Sequence, residues 1–457
     1  MVFSSILFLF QFMPLFFLLY YLAPHRFRNV LLLIASLVFY GWGEPKYIVL
    51  ILISILVNYI TGCLLEHYEG QEGKRKLLLI LSIVYNLGML GFFKYFDFFT
   101  GSINQLLSVN LPLVNVGLPL GISFYTFQIM SYTIDVYTGK AKAEHSIIDL
   151  GAYLCMFPQL IAGPIVVYTG VSERLKERRT GIGEVEAGLK IFVIGLGSKV
   201  LLANNIGSLW EDMNRIGYAE LSMPLAWMGI IAYALQIYFD FNGYSLMAVG
   251  LGKMLGFEFP QNFNYPYISK SITEFWRRWH ITLSSWFRDY LYIPLGGNRR
   301  GPVRNFFNLF VVWFVTGLWH GAGWNFIMWG LYFFVFLSLE RLFLKKYLDK
   351  GRVWPRIYFI IVILISWLLF AITNVDSIAV YLGRMFSFQG GTDWVYYFRN
   401  YGIILAIGTV LATPALKRWY EKQKDRPAGV IILLVIFVLA VAYLVDSTYN
   451  PFLYFRF

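Results

Sequence analysis

Long apolar runs, separated by short polar and basic loops, dominate the hydrophobic pattern of this chain. The run 2–23 has 22 residues without one charged side chain, and a helix that spans a bilayer needs about 20 such residues. Similar runs recur along the chain and predict eleven to twelve transmembrane helices. They lie at 2–23, 29–43, 46–65, 77–99, 116–137, 187–210, 224–250, 304–321, 323–343, 357–375, 400–416 and 428–445.

Two further apolar segments fit a spanning helix poorly. The segment 147–168 is interrupted by Pro158, Gly163 and Pro164. The segment 273–292 is apolar overall but charged at Glu274, Arg277, Arg278, Arg288 and Asp289. Broken or charged segments at membrane depth are tolerated only where protein or a water-filled cavity shields their polar groups. We therefore expect both segments to be re-entrant or interfacial helices.

Composition and charge support a membrane protein. Hydrophobic residues make up 58% of the 457 residues and charged residues 14%, whereas soluble domains carry about 25% charged residues. The net charge is +12, and the basic residues lie in short loops, as the positive-inside rule describes for cytoplasmic loops. We prefer this interpretation to nucleic-acid binding. Residues 1–457 contain no long hydrophilic linker or internal repeat, so we expect a single multi-pass membrane domain.

The first cluster of candidate functional residues occupies the charged segment 273–292. If the segment is one continuous helix, its arginines and its histidine share a face, because their positions differ by three or four residues. Such a face suits an interfacial helix whose arginines contact lipid phosphates. It equally suits a clamp for the phosphates of a donor substrate. The face consists of Arg277, His280, Ser284 and Arg288, and Trp279 belongs to the neighbouring aromatic face.

The second cluster surrounds His320, which lies deep in an apolar run beside Trp319. Gly317 and Gly321 are four residues apart and would let another helix backbone approach closely. A neutral imidazole can accept a proton near neutral pH, which suits general-base chemistry on a hydroxyl or a thiol. The alternative is a histidine that forms hydrogen bonds between helices only for packing. The flanking glycines and tryptophans favour the functional interpretation, because they shape a space beside the ring.

The third cluster lies in the run 224–250, where Gln236, Asp240 and Tyr244 are four residues apart and share a helical face. A charged aspartate within a membrane segment needs a partner. A structural network that holds helices together is the preferred interpretation. A proton relay is the alternative.

Several longer motifs extend these clusters. They are Gly121–Phe127, Phe157–Ile165, Tyr238–Phe241, Asn262–Pro266, Glu274–Gly297, Leu318–Gly321 and Asn450–Phe457. Together the motifs resemble the membrane-bound O-acyltransferase family, in particular its branch that acetylates bacterial polysaccharides such as alginate. The resemblance implies an all-α polytopic fold with the helices around a central tunnel. It also implies that His320 is the invariant catalytic histidine of the family and that His280 is its second active-site position.

The resemblance further implies the reaction and its participants. The acyl donor would be cytoplasmic acetyl-CoA, with no separate cofactor and no metal. A partner acyltransferase outside the cytoplasm would deliver the acetyl group to a polysaccharide, and the chain itself would lie in the bacterial cytoplasmic membrane in contact with lipid. Arg277, Arg278, Arg288 and Ser284 would bind the donor, while Asp240, Gln236, Trp319 and Trp279 would support the site.

Two positions depart from the pattern of this branch. Val167 stands where an arginine is common, and Leu246 stands where an acidic residue is common. We therefore expect an alginate-like exopolysaccharide or peptidoglycan as the acceptor. D-alanyl transfer to teichoic acid from a carrier protein is a rival within the family, and lipid acylation is a weaker one. A polysaccharide exporter without transfer chemistry is a rival of another class.

Overall fold

The computed structural model describes residues 1–161, 163–388, 390–424 and 426–446. These residues form helices and turns, and no strand occurs among them. The predicted all-α class is therefore confirmed. The chain divides into two compact units, one of Met1–Phe192 with Ser245–Pro260 and one of Val193–Tyr244 with the chain from Gln261 onward. The assignment of the whole chain to one domain, and the tunnel, stay predictions.

The first unit contains the N-terminal helices. They are α1 (Met13–Leu22), α2 (Arg28–Gly43), α3 (Ile48–His67), α4 (Glu72–Leu90), α5 (Phe96–Leu107), α6 (Ile122–Tyr137), α7 (Ile147–Cys155), α8 (Phe157–Leu160) and α9 (Ser172–Lys176). Two longer helices, α10 (Ile182–Gly197) and α12 (Met223–Met254), contribute residues to both units. The segment 147–168 is interrupted after Cys155, as its prolines and glycine predict.

The second unit contains the remaining helices. They are α11 (Asn204–Ile216), α13 (Ile272–Trp276), α14 (Ile281–Phe287), α15 (Pro302–His320), α16 (Trp324–Leu339), α17 (Lys345–Leu348), α18 (Trp354–Ala371), α19 (Val375–Phe386), α20 (Asp393–Leu411), α21 (Ala415–Glu421) and α22 (Pro427–Asp446). Single turns of π-helix occur at Phe8–Phe12, Gly91–Tyr95, Ser198–Ala203, Arg288–Tyr292 and Glu340–Leu344. Short 3₁₀ turns occur at His25–Phe27, Pro45–Tyr47, Tyr168–Gly170, Tyr218–Glu220 and Pro266–Ile268.

Five helical stretches in the described part of the chain are long and apolar enough to cross a bilayer. A sixth is counted if α20 and α21, which meet at a bend of 66°, form one span. The chain is therefore a multi-pass membrane protein. The number of such helices among the described residues is lower than the eleven to twelve that the sequence predicted. Several predicted spans correspond to helices that are too short, such as α2 and α6 with 16 residues each. The five stretches are Pro45–His67, Glu72–Leu107, Trp324–Leu348, Trp354–Ala371 and Pro427–Asp446.

Polar contacts and small residues hold helices together within each unit. In the first unit, the side-chain amides of Asn58 on α3 and Asn86 on α4 bind each other reciprocally, at 3.2 and 2.9 Å. In the second unit, α15 packs directly against α16. There Gly330 faces Gly317, and a Cβ atom added at Gly330 would lie 3.1 Å from the Cα of Gly317 and would overlap the carbonyl oxygen of Trp313. The close approach predicted for Gly317 is thus observed, with α16 as the partner.

Replacement of Gly330 by alanine should destabilise the second unit, because the new methyl group has no space between α15 and α16. Overpacking of this kind costs about 1–3 kcal/mol. The measurement is the thermal unfolding midpoint of the purified protein in detergent. Gly383→Ala on α19 is the matched control, because no atom lies within 4 Å of its added Cβ. Equal midpoints for the two variants would contradict the packing described here.

Candidate active site

His280 lies at a sharp break in the chain and not within a helix. Helix α13 ends at Trp276, and α14 begins at Ile281 directly after His280. The backbone of His280 has φ 43° and ψ 53°, in the left-handed region, which non-glycine residues rarely adopt. The predicted continuous helix over this segment is therefore wrong, and one residue with left-handed geometry accounts for the break.

The break separates the histidine from the predicted donor-binding residues. His280 is fully buried, whereas Arg277 and Arg288 are exposed and Ser284 is half-buried. Because Arg277 lies before the break and Ser284 and Arg288 lie after it, these residues and His280 do not share the face of one continuous helix. Their role in donor binding stays a prediction.

Two of the arginines have carboxylate partners of their own. Arg278 binds Glu274 one turn earlier, with 2.9 Å between Nη2 and Oε1. Arg288 binds its neighbour Asp289 through two bonds of 2.7 and 2.9 Å. The side chain of Arg278 is 28% exposed and that of Arg288 is 60% exposed, so Arg288 is the more accessible of the two to a second anion.

Asn262 holds the His280 ring. The Nδ1 atom of His280 lies 3.1 Å from Oδ1 of Asn262. The same oxygen accepts hydrogen bonds from the backbone N–H and the hydroxyl of Thr282, at 3.3 and 2.9 Å. The two backbones also bind each other, since Ile281 N–H donates to the carbonyl of Asn262 at 2.9 Å. Sequence reasoning placed Asn262 in a family motif but did not assign it this role.

His320 lies close to His280. It is the last residue of α15 and is 5% exposed. The rings of Trp319, Trp329 and Phe370 meet its ring edge to face, at centroid distances of 5.0, 4.8 and 5.3 Å. The centroids of His280 and His320 are 6.5 Å apart. The structure therefore brings together the two histidines that the sequence singled out.

Aromatic rings also surround His280. Phe241 of α12 and Trp319 lie 4.7 and 5.9 Å from its ring centroid. Trp279 points away into the core, where it packs against Phe263 and Trp367 at 4.9 and 4.8 Å. Rings that exclude water lower the local dielectric constant and strengthen hydrogen bonds and charge interactions at the histidines.

Asp240 has an oppositely charged partner, as its position within an apolar run predicts. Nζ of Lys199 lies 2.6 Å from Oδ1 of Asp240, and both side chains are at most 3% exposed. Lys199 belongs to the π-helical turn after α10. Gln236 and Tyr244, one turn to either side of Asp240, are buried as well. The sequence analysis missed Lys199, because two widely spaced lysines, Lys190 and Lys199, did not interrupt the apolar run 187–210.

Glu340 is a second buried charge that the sequence analysis missed. It is 2% exposed and accepts hydrogen bonds from the backbone N–H groups of Ile272 and Thr273, at 2.6 and 2.9 Å. The hydroxyl of Tyr358 donates to it at 3.1 Å. A carboxylate stabilises a helix start, where backbone N–H groups lack partners. Glu340 thereby fixes the position of α13, the helix that leads to His280.

The comparison with protein families identifies the chain. The model of the membrane-bound O-acyltransferase family matches residues 102–381, a range that includes His280 and His320. The chain belongs to the membrane-bound O-acyltransferase family. It is therefore an O-acyltransferase, as the sequence predicted. Of the motifs that carried the resemblance, Asn450–Phe457 lies outside the described residues, as does Ala162 within Phe157–Ile165.

Curated relatives of this family match most or all of the chain. A probable alginate O-acetylase of Azotobacter vinelandii is 35% identical, with 100% of each chain covered. A probable alginate O-acetylase of Pseudomonas aeruginosa is 41% identical over 85% of this chain and 75% of its own length. A peptidoglycan O-acetyltransferase of Helicobacter pylori is 35% identical, with 85% of this chain and 80% of the relative covered.

The ion pair between Lys199 and Asp240 should act as a structural element of the acyltransferase. Asp240→Asn removes the carboxylate charge that binds the buried Lys199. Breaking a buried ion pair by changing one partner typically costs about 3–5 kcal/mol, whereas replacement of both partners by apolar residues is often nearly neutral. We expect Asp240→Asn to lower the unfolding midpoint strongly and Lys199→Met with Asp240→Leu to recover most of the loss.

Asp289→Asn is the matched control, because it breaks an exposed ion pair instead and should cost less than about 1 kcal/mol. A double variant less stable than Asp240→Asn would contradict the structural role of the pair.

Proposed function

We propose that this chain transfers an acetyl group from acetyl-CoA towards a hydroxyl group of a bacterial cell-surface polysaccharide. The observation that carries the proposal is the buried pair His280 and His320, with ring centroids 6.5 Å apart inside an aromatic shell. Acyl transfer to a hydroxyl requires a group that accepts the hydroxyl proton, and histidine is the side chain most often used for this step. The names of the relatives support acetyl as the acyl group.

The proposed reaction moves one acyl group and one proton. The oxygen of the acceptor hydroxyl attacks the carbonyl carbon of the acetyl-CoA thioester, so a C–O bond forms while the C–S bond breaks. The hydroxyl proton passes to a base and then to the departing thiolate. His320 is the proposed base, with a transient acyl carrier as its less favoured role. A water-poor aromatic surrounding protects the thioester from hydrolysis and strengthens the interactions that stabilise the transition state.

The proposed donor site lies among the exposed arginines of the segment between α13 and the π-helical turn Arg288–Tyr292. Guanidinium groups bind phosphate oxygens through paired hydrogen bonds, and the donor carries phosphate groups. Arg277 and Arg288 are both exposed. The donor would approach from the cytoplasmic side of the bacterial cytoplasmic membrane, where loops rich in lysine and arginine lie.

The proposed acceptor and partner lie on the other side of the membrane. The relatives are named for alginate and for peptidoglycan, and both polymers carry hydroxyl groups. The proposed path leads from the donor through the histidine pair to a partner acyltransferase outside the cytoplasm, which completes the transfer to the polymer.

His320→Ala should abolish acetylation of the polymer while the protein stays folded in the membrane, because the base of the reaction is lost. The measurement is the ester-linked acetate that mild alkali releases from the exopolysaccharide and peptidoglycan of the native host, identified by mass analysis. His145→Ala is the control, because that histidine is 71% exposed and binds Glu66, so acetylation should stay at the wild-type level.

Other outcomes of the same measurement would overturn the proposal. Wild-type acetate release in the His320→Ala host would exclude His320 as the base. Release of D-alanine from the wild-type polymers, without acetate, would identify the chain as a D-alanyl transferase. If deletion of the chain stopped export of the polymer but left acetylation of the polymer unchanged, the chain would be an exporter.

A further inference from the structure

The hydrogen bonds of Asn262 define which ring nitrogen of His280 carries the proton. A backbone N–H can only donate, and that of Thr282 points to the Asn262 side chain at 3.3 Å. The atom that receives it must therefore be the oxygen Oδ1 and not the amide nitrogen. The same oxygen lies 3.1 Å from Nδ1 of His280. Because an amide oxygen only accepts hydrogen bonds, Nδ1 of His280 must carry the proton.

This contact restricts the chemistry that His280 can perform. A neutral imidazole has one protonated and one unprotonated nitrogen. With the proton on Nδ1, the other nitrogen, Nε2, has a lone pair and accepts a proton or a hydrogen bond. A neutral His280 in this tautomer cannot polarise a thioester carbonyl, because that role requires an N–H group on Nε2.

We propose that Asn262 is a positioning residue that holds His280 as a proton acceptor of the acyl-transfer site. The proposal rests on the proposed acyl transfer and refines it. Ring centroids 6.5 Å apart are too distant for a direct hydrogen bond between His280 and His320. The reacting hydroxyl oxygen can instead lie between the two rings, with both histidines serving as acceptors for its proton.

Every bond and proton of the transfer is accounted for when His280 acts as a proton acceptor. The hydroxyl proton moves to the imidazole pair as the C–O bond forms, and it reaches the thiolate sulfur as the C–S bond breaks. While His280 holds the extra proton, its Nδ1–H still donates to Asn262, whose carbonyl dipole stabilises the positive ring.

The surroundings of His280 allow a pH-dependent test of this role. The rings of Phe241, Phe263, Trp319 and His320 pack against His280, and His320 is the titratable group among these four. Asp240 precedes Phe241 on α12 and is bound to Lys199.

Asn262→Asp is the informative change. The carboxylate keeps an acceptor for Nδ1 and for Thr282, and the amide nitrogen that is lost has no hydrogen-bond partner among the described residues. A carboxylate beside an imidazole favours the protonated ring, typically by about 1–3 pH units. A larger fraction of His280 is then protonated at a given pH and cannot accept a proton. The acidic limb of the pH–rate profile should therefore move to higher pH.

The assay follows acetyl transfer from labelled acetyl-CoA in washed membranes of the native host across a range of pH. Asn305→Asp is the matched control, because Asn305 is also buried in the second unit and its Oδ1 also accepts two hydrogen bonds, from Tyr292 and Arg341. An acidic limb that moves in Asn262→Asp and not in Asn305→Asp supports the proposal. An unmoved limb in Asn262→Asp, with transfer intact, overturns it.

A second measurement does not depend on activity or on a variant at Asn262. In the wild-type chain with ¹⁵N-labelled histidine, the nitrogen chemical shifts report the tautomer of each ring, and the signals lost in His280→Gln identify His280. We expect a protonated Nδ1 and an unprotonated Nε2. The reverse tautomer would overturn the proposal. Absence of acetyl transfer in wild-type membranes, together with the expected tautomer, would contradict the proposed function and leave the role of Asn262 intact.

Discussion

A polar side chain buried in a lipid-solvated protein has no water to replace a missing partner, so its hydrogen bonds must come from the protein itself. Three contacts in the second unit meet this constraint in different ways. The charges of Lys199 and Asp240 neutralise each other at 2.6 Å. Glu340 accepts backbone N–H groups at the start of α13. Oδ1 of Asn262 accepts a hydrogen bond from the Nδ1–H group of His280.

Two of these contacts also explain the geometry of the candidate active site around His280. The left-handed backbone of His280 is costly for a residue with a side chain, and it persists because the structure on either side determines it. Glu340 fixes α13 before the break, and the backbone and side chain of Asn262 fix the residues after it. The aromatic rings around His320 then set the second histidine beside the first. Structural polar contacts and the proposed chemistry therefore depend on the same few residues.

The sequence predicted the class of the fold better than it predicted how the candidate site residues are arranged. Apolar runs reveal helices because their length and lack of charge are local properties, and α16, α18 and α22 follow the predicted spans closely. The need of Asp240 for a partner followed from its position in an apolar run. The pairing of His280 with His320 followed from the family resemblance.

The errors have a common physical origin. The predicted continuous helix through His280 failed because hydrophobic periodicity does not show that a single residue adopts a positive φ. Lys199 and Glu340 were missed because charges at two positions hardly change the mean hydropathy of a long apolar run. Their partners are distant in the sequence, as with Glu340 and Ile272, so tertiary structure alone reveals them. Gly317 was recognised as a contact residue, but its partner Gly330 on α16 was not.

The central claim is that His280 and His320 act together as one acyl-transfer centre, and a double-mutant cycle tests it most directly. The rate of acetyl transfer from labelled acetyl-CoA is measured in membranes that contain the wild-type chain, His280→Gln, His320→Gln or both changes. Residues that act as a unit are strongly non-additive, so the double variant should be scarcely slower than the slower single variant. A double variant whose loss equals the product of the two single losses would show that the histidines act independently and would contradict the claim.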